Sequence, residues 1–164
     1  MKKTAIIMGS DSDLKVVEKA IEVFESFEAP FEVHIFSAHR TPAQLQAFVK
    51  SAEENDFGVI IAAAGMAAHL AGAVAAATTL PVIGIPIKSA SFDGMDALLS
   101  TVMMPPGIPV ATVGVDGAKN AALLALEILA LGDEALSRQL KQNRQAAANT
   151  VLEKNKATEE KYNH

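Results

Sequence analysis

FGVIIAAAGMAAHLAGAVAAATTLPVIGIPI, residues 57–87, is the stretch that decides the fold, and it contains no charged residue. A run this long exceeds the roughly 20 apolar residues that span a bilayer. Its punctuation argues otherwise. Gly58, Gly65, His69, Gly72, Thr78, Thr79, Pro81, Gly84 and Pro86 interrupt it. It reads as a buried strand (59–64), a helix of small residues (67–78) and a second buried strand (81–87), with no membrane span. Strands that are apolar throughout belong to parallel sheets covered on both faces.

Working outward, the same alternation recurs. TAIIM (4–8) is a strand run ending at Gly9. Residues 12–28 carry Leu14, Val17, Ile21, Phe24 and Phe27 at helical spacing. A strand is expected over 31–37. Thr41, Pro42 and Gln44 together predict a capped helix start with a capping box. Residues 94–103 read as a helix closed by Pro105-Pro106-Gly107. IPVATVGV (108–115) is a fifth strand, and 117–131 an Ala/Leu helix ending at Gly132. The polar remainder, 133–160, has only a narrow stripe of Leu136, Leu140, Ala147 and Val151, suited to packing along a neighbouring surface. Five runs in βα alternation predict one α/β domain over 1–164, a parallel sheet with helices on both faces. Its core is 1–132, and 133–164 is a helical extension.

Composition sets limits. The 164 residues carry 14 basic and 19 acidic side chains, a net charge of −5. That argues against nucleic-acid binding through bulk positive charge. Only 20% of residues are charged, against about 25% in typical domains, so part of the apolar surplus is expected in subunit interfaces. There are no cysteines, which excludes disulfides and thiolate chemistry. His34, His39, His69 and His164 show no ligand spacing, so no metal is expected. The short apolar run at the N-terminus breaks too early for a signal peptide, so the cytoplasm is the expected location.

Ligands of open parallel sheets bind beyond the carboxyl ends of the strands. After the first strand come Gly9, Ser10, Asp11, Ser12 and Asp13. This segment reads either as an anion site or as simple capping by Ser10 or Ser12, with the aspartates favoured by the helix dipole. It is not GxGxxG, so no dinucleotide cofactor is implied. After the second strand come Ser37, Ala38, His39 and Arg40. Arginine suits a phosphate, and histidine exchanges protons near neutral pH. After the third strand come Gly65, Met66, Ala67, Ala68 and His69. Small uncharged residues there suit a dry pocket for a carboxylate or carbon dioxide, whereas His69 alone reads as a satisfied buried histidine. Lys88–Gly94 reads as a lid or an ordinary connection.

MGSDSD (8–13), SAHRTP (37–42), AAHL (67–70), LPVIGIPI (80–87), MPPGIPVATV (104–113) and NAALLA (120–125) resemble the N5-carboxyaminoimidazole ribonucleotide mutase family over about residues 4–131. The resemblance implies a flavodoxin-like three-layer α/β/α sandwich in a homo-octamer. It implies a cofactor-free, metal-free shift of a carboxylate from the exocyclic nitrogen to ring carbon 4 of the small-molecule ribonucleotide. By analogy His39 is the general acid/base and His69 a second site histidine. Ser10, Ser12, Asp13, Ser37, Ala38, Arg40, Gly65, Met66 and Ala67 surround the substrate, with Arg40 near its phosphate. The family's usual Gly-Gly-Ala-Ala-His-Leu-Pro-Gly is altered here at Met66 and Ala71. Met66 is expected to resist the positive φ that glycine permits. Two other functions stand beside the mutase: direct carboxylation of the aminoimidazole ribonucleotide, and non-catalytic binding of a phosphoribosyl ligand.

Overall fold

Alternate side chains of each central strand serve opposite faces of the sheet, and both faces are apolar. In a computed structural model, which describes residues 1–163, the strands are β1 (Lys3–Met8), β2 (Phe31–Ile35), β3 (Phe57–Gly65), β4 (Val82–Ile87) and β5 (Ala111–Thr112). His164 lies outside the described residues. All pairings are parallel and the order is β2-β1-β3-β4-β5. Ile6, Met8, Val59, Ile61, Ala63, Ile83 and Ile85 face a core shared with α1 (Leu14–Ser26) and α5 (Ala118–Leu129). Ala5, Ile7, Ile60, Ala62 and Val82 face a second core with α2 (Pro42–Ser51) and α3 (Leu70–Ala75). The stretch 57–87 is therefore strand, helix and strand. Among the described residues no helix is long and apolar enough to cross a membrane.

Several details differ from expectation, among them the second strand, which ends at Ile35 short of 37. The 67–78 helix shortens to Leu70–Ala75, because Met66 takes a left-handed φ of 53° and the His69 N–H closes a turn onto the Ala67 carbonyl. The fifth strand pairs only at Ala111 and Thr112, at the sheet edge just after Pro109, which has no N–H to donate. Thr41 occupies the cap position of α2, and Pro42 opens that helix, but the Thr41 side chain makes no capping bond. Its hydroxyl instead accepts the Ser37 N–H at 2.8 Å, tying the loop before the helix to itself. Local side chain–backbone bonds compete in this way with caps.

Beyond α4 (Met95–Val102), the chain ends in α6 (Glu134–Tyr162), 29 residues long. Asp133 caps it by accepting the Leu136 N–H at 3.0 Å, and Leu136 is fully buried against the first core. Leu140 still touches that core, but every described residue from Lys141 onward is exposed.

Candidate functional site

Strand order reverses at β1, which has β2 on one side and β3 on the other, and a cleft opens beyond their carboxyl ends. Its volume is about 630 Å³. Ser10, Ser12 and Asp13 enter from the end of β1. Ser37, Ala38, His39 and Arg40 enter from β2, and Gly65, Met66, Ala67 and His69 from β3. Every residue that the family resemblance places at the substrate lines this one cleft, whereas Asp11 and Ala68 of the same loops do not. Ile87, Lys88 and Ser89 also line it, beyond β4.

The β1 loop is a single 3₁₀ turn, Asp11–Asp13, capped by Ser10, whose Oγ accepts the Ser12 N–H at 3.3 Å. The turn leads straight into α1, which sinks Asp13 to 8% exposure. Burial pushes the Asp13 carboxyl above its ordinary range, and hydrogen bonds from Ser12 and Ser10 only partly oppose it. Because the folded pKa exceeds the unfolded one, the stability linked to Asp13 is fully present below about pH 3.9 and is lost as pH rises through the folded value. Asp13→Asn is therefore expected to melt above the wild type at pH 7, with the gap closing as pH falls toward 4. Thermal melts across pH 4–8 test this; equal melting at pH 7 would show that the carboxylate costs nothing where it stands.

The β2 loop is held by its own polar atoms. Ser37 Oγ accepts the Arg40 N–H at 3.1 Å, and Thr41 Oγ1 lies 3.2 Å from the Ser37 carbonyl. Among the described residues no carboxylate pairs with Arg40, whose Nε lies 3.5 Å from Ser37 Oγ, so its charge is unpaired and available to an anion in the cleft. His39 Nε2 lies 2.7 Å from His69 Nδ1, with the rings nearly perpendicular at 84°. At this distance the two rings are hydrogen-bonded, the donor being whichever ring carries the proton on that nitrogen. His69 is exposed and paired, so it is not a buried core histidine. His39 Nδ1 and His69 Nε2 are the ring nitrogens that the contact leaves unused.

The β3 loop differs in chemistry: Ala64, Gly65, Met66, Ala67 and Leu70 form an apolar wall. Met66 does adopt the positive φ that a side chain disfavours, contrary to expectation. Ser100 of α4 supports it. Ser100 Oγ accepts the Ala68 N–H at 3.1 Å and lies 3.4 Å from the Met66 carbonyl oxygen, while its own proton goes to the Asp96 carbonyl at 2.7 Å. Sequence reasoning missed Ser100, since a serine on a helix carries no signal of what it touches in space. It also missed Asp116, whose Oδ1 accepts the Lys88 N–H at 2.9 Å and anchors the loop after β4. The Lys88 ammonium pairs with Asp93 at 2.9 Å, and that pairing raises its pKa. Among the described residues no three His, Asp or Glu side chains gather as a metal site requires.

A doubly wound sheet with an arginine, a linked imidazole pair and an apolar wall around one cleft defines an α/β domain equipped for proton transfer on a small anionic ligand. The chain belongs to the AIR carboxylase family, whose model matches residues 3–150. It is similar to the N5-carboxyaminoimidazole ribonucleotide mutase of Pyrococcus abyssi, with 58% identity over 88% of this chain and 83% of the relative. The Escherichia coli mutase is 51% identical over 92% of this chain and 90% of the relative. The crystal structure of Treponema denticola PurE superposes with a TM-score of 0.87 at 31% identity, covering 99% of both chains.

Proposed function

We propose that this chain isomerises N5-carboxyaminoimidazole ribonucleotide to 4-carboxy-5-aminoimidazole ribonucleotide in purine biosynthesis, with His39 and His69 moving the protons. The observation that carries the residue assignment is the 2.7 Å contact between the two imidazoles at the mouth of the cleft. Arg40 binds the phosphate, with Ser37 and Ala38 shaping the loop that presents it. Ser10, Ser12 and Asp13 face the ribose. Gly65, Met66 and Ala67 form the dry side, where the carboxyl group travels.

The chemistry follows from those roles. The bond between the exocyclic nitrogen and its carboxyl carbon breaks, and its electron pair stays on nitrogen. The nitrogen takes a proton from the imidazole pair, leaving a neutral aminoimidazole beside carbon dioxide. Ring carbon 4 attacks the gas, a carbon–carbon bond forms, and the carbon 4 proton returns to the pair. No proton is gained or lost overall. Holding the two fragments together is worth effective molarities of about 10⁵ M or more, and proton transfer by a placed histidine about 10²–10⁴-fold. This chain's residues need only bind, exclude water and hold one proton.

We also propose a cytoplasmic homo-octamer in which α6 packs on neighbouring subunits. In support of the oligomer, Met95, Leu99 and Val102 on α4, Met103 just after it, and Val151 and Leu152 on α6 are exposed apolar side chains that need cover.

A second reading, direct carboxylation with carbon dioxide, draws on the family's description as AIR carboxylase. One assay separates the two. Purified protein receives the N-carboxylated nucleotide without ATP or metal, and in parallel the decarboxylated nucleotide with bicarbonate. Fast conversion in the first, insensitive to bicarbonate, is the expected result. Activity only in the second overturns the mutase reading. Binding without turnover in either leaves a ligand-binding module.

A further inference from the structure

We propose that Ser100 is a positioning residue for the reaction: through the Ala68 N–H it holds the backbone that aims His69 at His39. The role rests on the mutase reading above, but its first readout, the state of the two imidazoles, needs no turnover.

An imidazole that exchanges protons is usually oriented through its other ring nitrogen, by a third group that bonds it. That device is missing here. His69 Nδ1 meets His39 Nε2 at 2.7 Å, and among the described residues no side chain or carbonyl holds His69 Nε2. The ring is exposed, so packing does not fix it either. Its direction comes from the backbone that carries it.

Two contacts clamp that backbone, one on each side of His69. Beyond it, Leu70 is buried in the second core. Before it, the chain turns left-handed at Met66, with φ 53°, and the His69 N–H closes onto the Ala67 carbonyl at 2.9 Å. Those two features bend the loop without tying it to the rest of the molecule. Ser100 supplies the tie: its Oγ accepts the N–H of the buried Ala68 at 3.1 Å. The hydroxyl is itself aimed. Three carbonyls lie within its reach, Asp96 at 2.7 Å, Ala97 at 3.2 Å and Met66 at 3.4 Å, and the nearest takes the proton. With that proton turned back along α4, the oxygen offers its lone pairs to the loop. A serine bonded to the carbonyl four residues back does little for its own helix, so its value lies in what it holds.

The same turn of α4 reaches a second loop of the cleft. The Asp96 carboxylate accepts the Ser89 hydroxyl at 3.2 Å, and Ser89 lines the cleft beyond β4. α4 therefore braces the loops after β3 and β4 together. Removing the Ser100 hydroxyl frees only the first of them. Ser10, Asp13 and Arg40, on the loops after β1 and β2, keep their places. The loss should fall on proton transfer and spare nucleotide binding.

Wild type, Ser100→Ala and Ser100→Cys are prepared with isotope-labelled histidine, and their ring-nitrogen signals are read by NMR near neutral pH. In Ser100→Ala the signals of His39 Nε2 and His69 Nδ1 are expected to move toward those of separate imidazoles. Those of His34, on β2, stay as the internal control. With N5-carboxyaminoimidazole ribonucleotide, kcat is expected to fall by about 10²-fold, the cost of misplacing a group by about 1 Å. KM, and binding of the decarboxylated nucleotide, stay nearly unchanged, as for an interaction that serves the transition state alone. Ser100→Cys, similar in shape but a weak acceptor, lies between the two. A thermal melt verifies folding, and Ser100→Cys carries the test if the alanine variant does not fold. Wild-type histidine signals in a folded variant overturn the role. So do displaced signals with an unchanged kcat, or a loss confined to KM. Wild type that forms no C-carboxylated product overturns the mutase reading, and the histidine signals then still decide whether Ser100 sets the pair.

Discussion

His39→Asn is expected to lower kcat by about 10³-fold while leaving the melting temperature nearly unchanged. The magnitude is that of losing a placed general acid/base, about 10²–10⁴-fold. Asparagine keeps a polar group of similar reach, so substrate contacts and loop shape survive. What it lacks is a nitrogen that can give up and recover a proton. In the proposed mechanism the exchange runs through a single short link, His39 Nε2 to His69 Nδ1 at 2.7 Å, and the variant cuts it. Both histidines are exposed, so their contribution to folding is small, within about 0.5 kcal/mol for surface positions. The two-step chemistry sharpens the expectation. Nitrogen must gain a proton and carbon 4 must lose one, so a broken relay slows both halves. Steady-state kinetics and a thermal melt decide it: a folded variant within tenfold of wild-type kcat would remove His39 from the proton path.

How much of this was legible in the sequence depends on the length scale of each signal. The five strand runs are local patterns, and all five are present, the fifth only at Ala111 and Thr112; the loops after the first three come together around one cleft. Ser10 caps the turn after β1, as one reading of that segment has it, and Ser10, Ser12 and Asp13 also line the cleft, as a ligand site requires. The His39–His69 link joins residues 30 apart, and only the strand order that flanks β1 with β2 and β3 brings them together. No periodicity reports that. Where local and tertiary demands compete, sequence reading fails in an instructive way. The strong capping signal at Thr41 is spent on Ser37 instead, because the loop that presents His39 and Arg40 needs its own hydrogen bonds. The alanine-rich 67–78 segment has helical composition throughout, but the left-handed turn at Met66 delays the helix to Leu70. The support that Ser100 gives that turn crosses from α4, at a separation of 32 residues from Ala68.

Gly84→Ala carries the largest stability effect expected here, about 1–3 kcal/mol from overpacking. At about 2–4 °C per kcal/mol for a chain of this size, the melting temperature drops by roughly 2–12 °C. Gly84 lies in the middle of β4, opposite Ala62 on one side and Thr112 on the other, so the backbone cannot withdraw. A methyl group there would collide with Thr101 Cγ2 and would meet Val110 Cγ1 at 3.1 Å and Ala71 Cβ at 3.3 Å. Thr101 cannot easily swing away. It is 2% exposed, β-branched, and its hydroxyl donates to the Ala97 carbonyl at 2.7 Å. The strain therefore falls on α4 as a body. That helix also carries Ser100, the support of the Met66 loop, so activity is expected to fall along with stability. Thr101→Ser removes the clashing methyl and keeps the hydroxyl. In the wild-type background it leaves a small void. Combined with Gly84→Ala it makes room for the new methyl, so the double variant is expected to recover most of the lost stability. Contacting residues couple by about 0.5–3 kcal/mol in such cycles. Additive losses in the four-way comparison would show that α4 is not what Gly84 makes room for, and that the cost of the alanine lies in the strand itself.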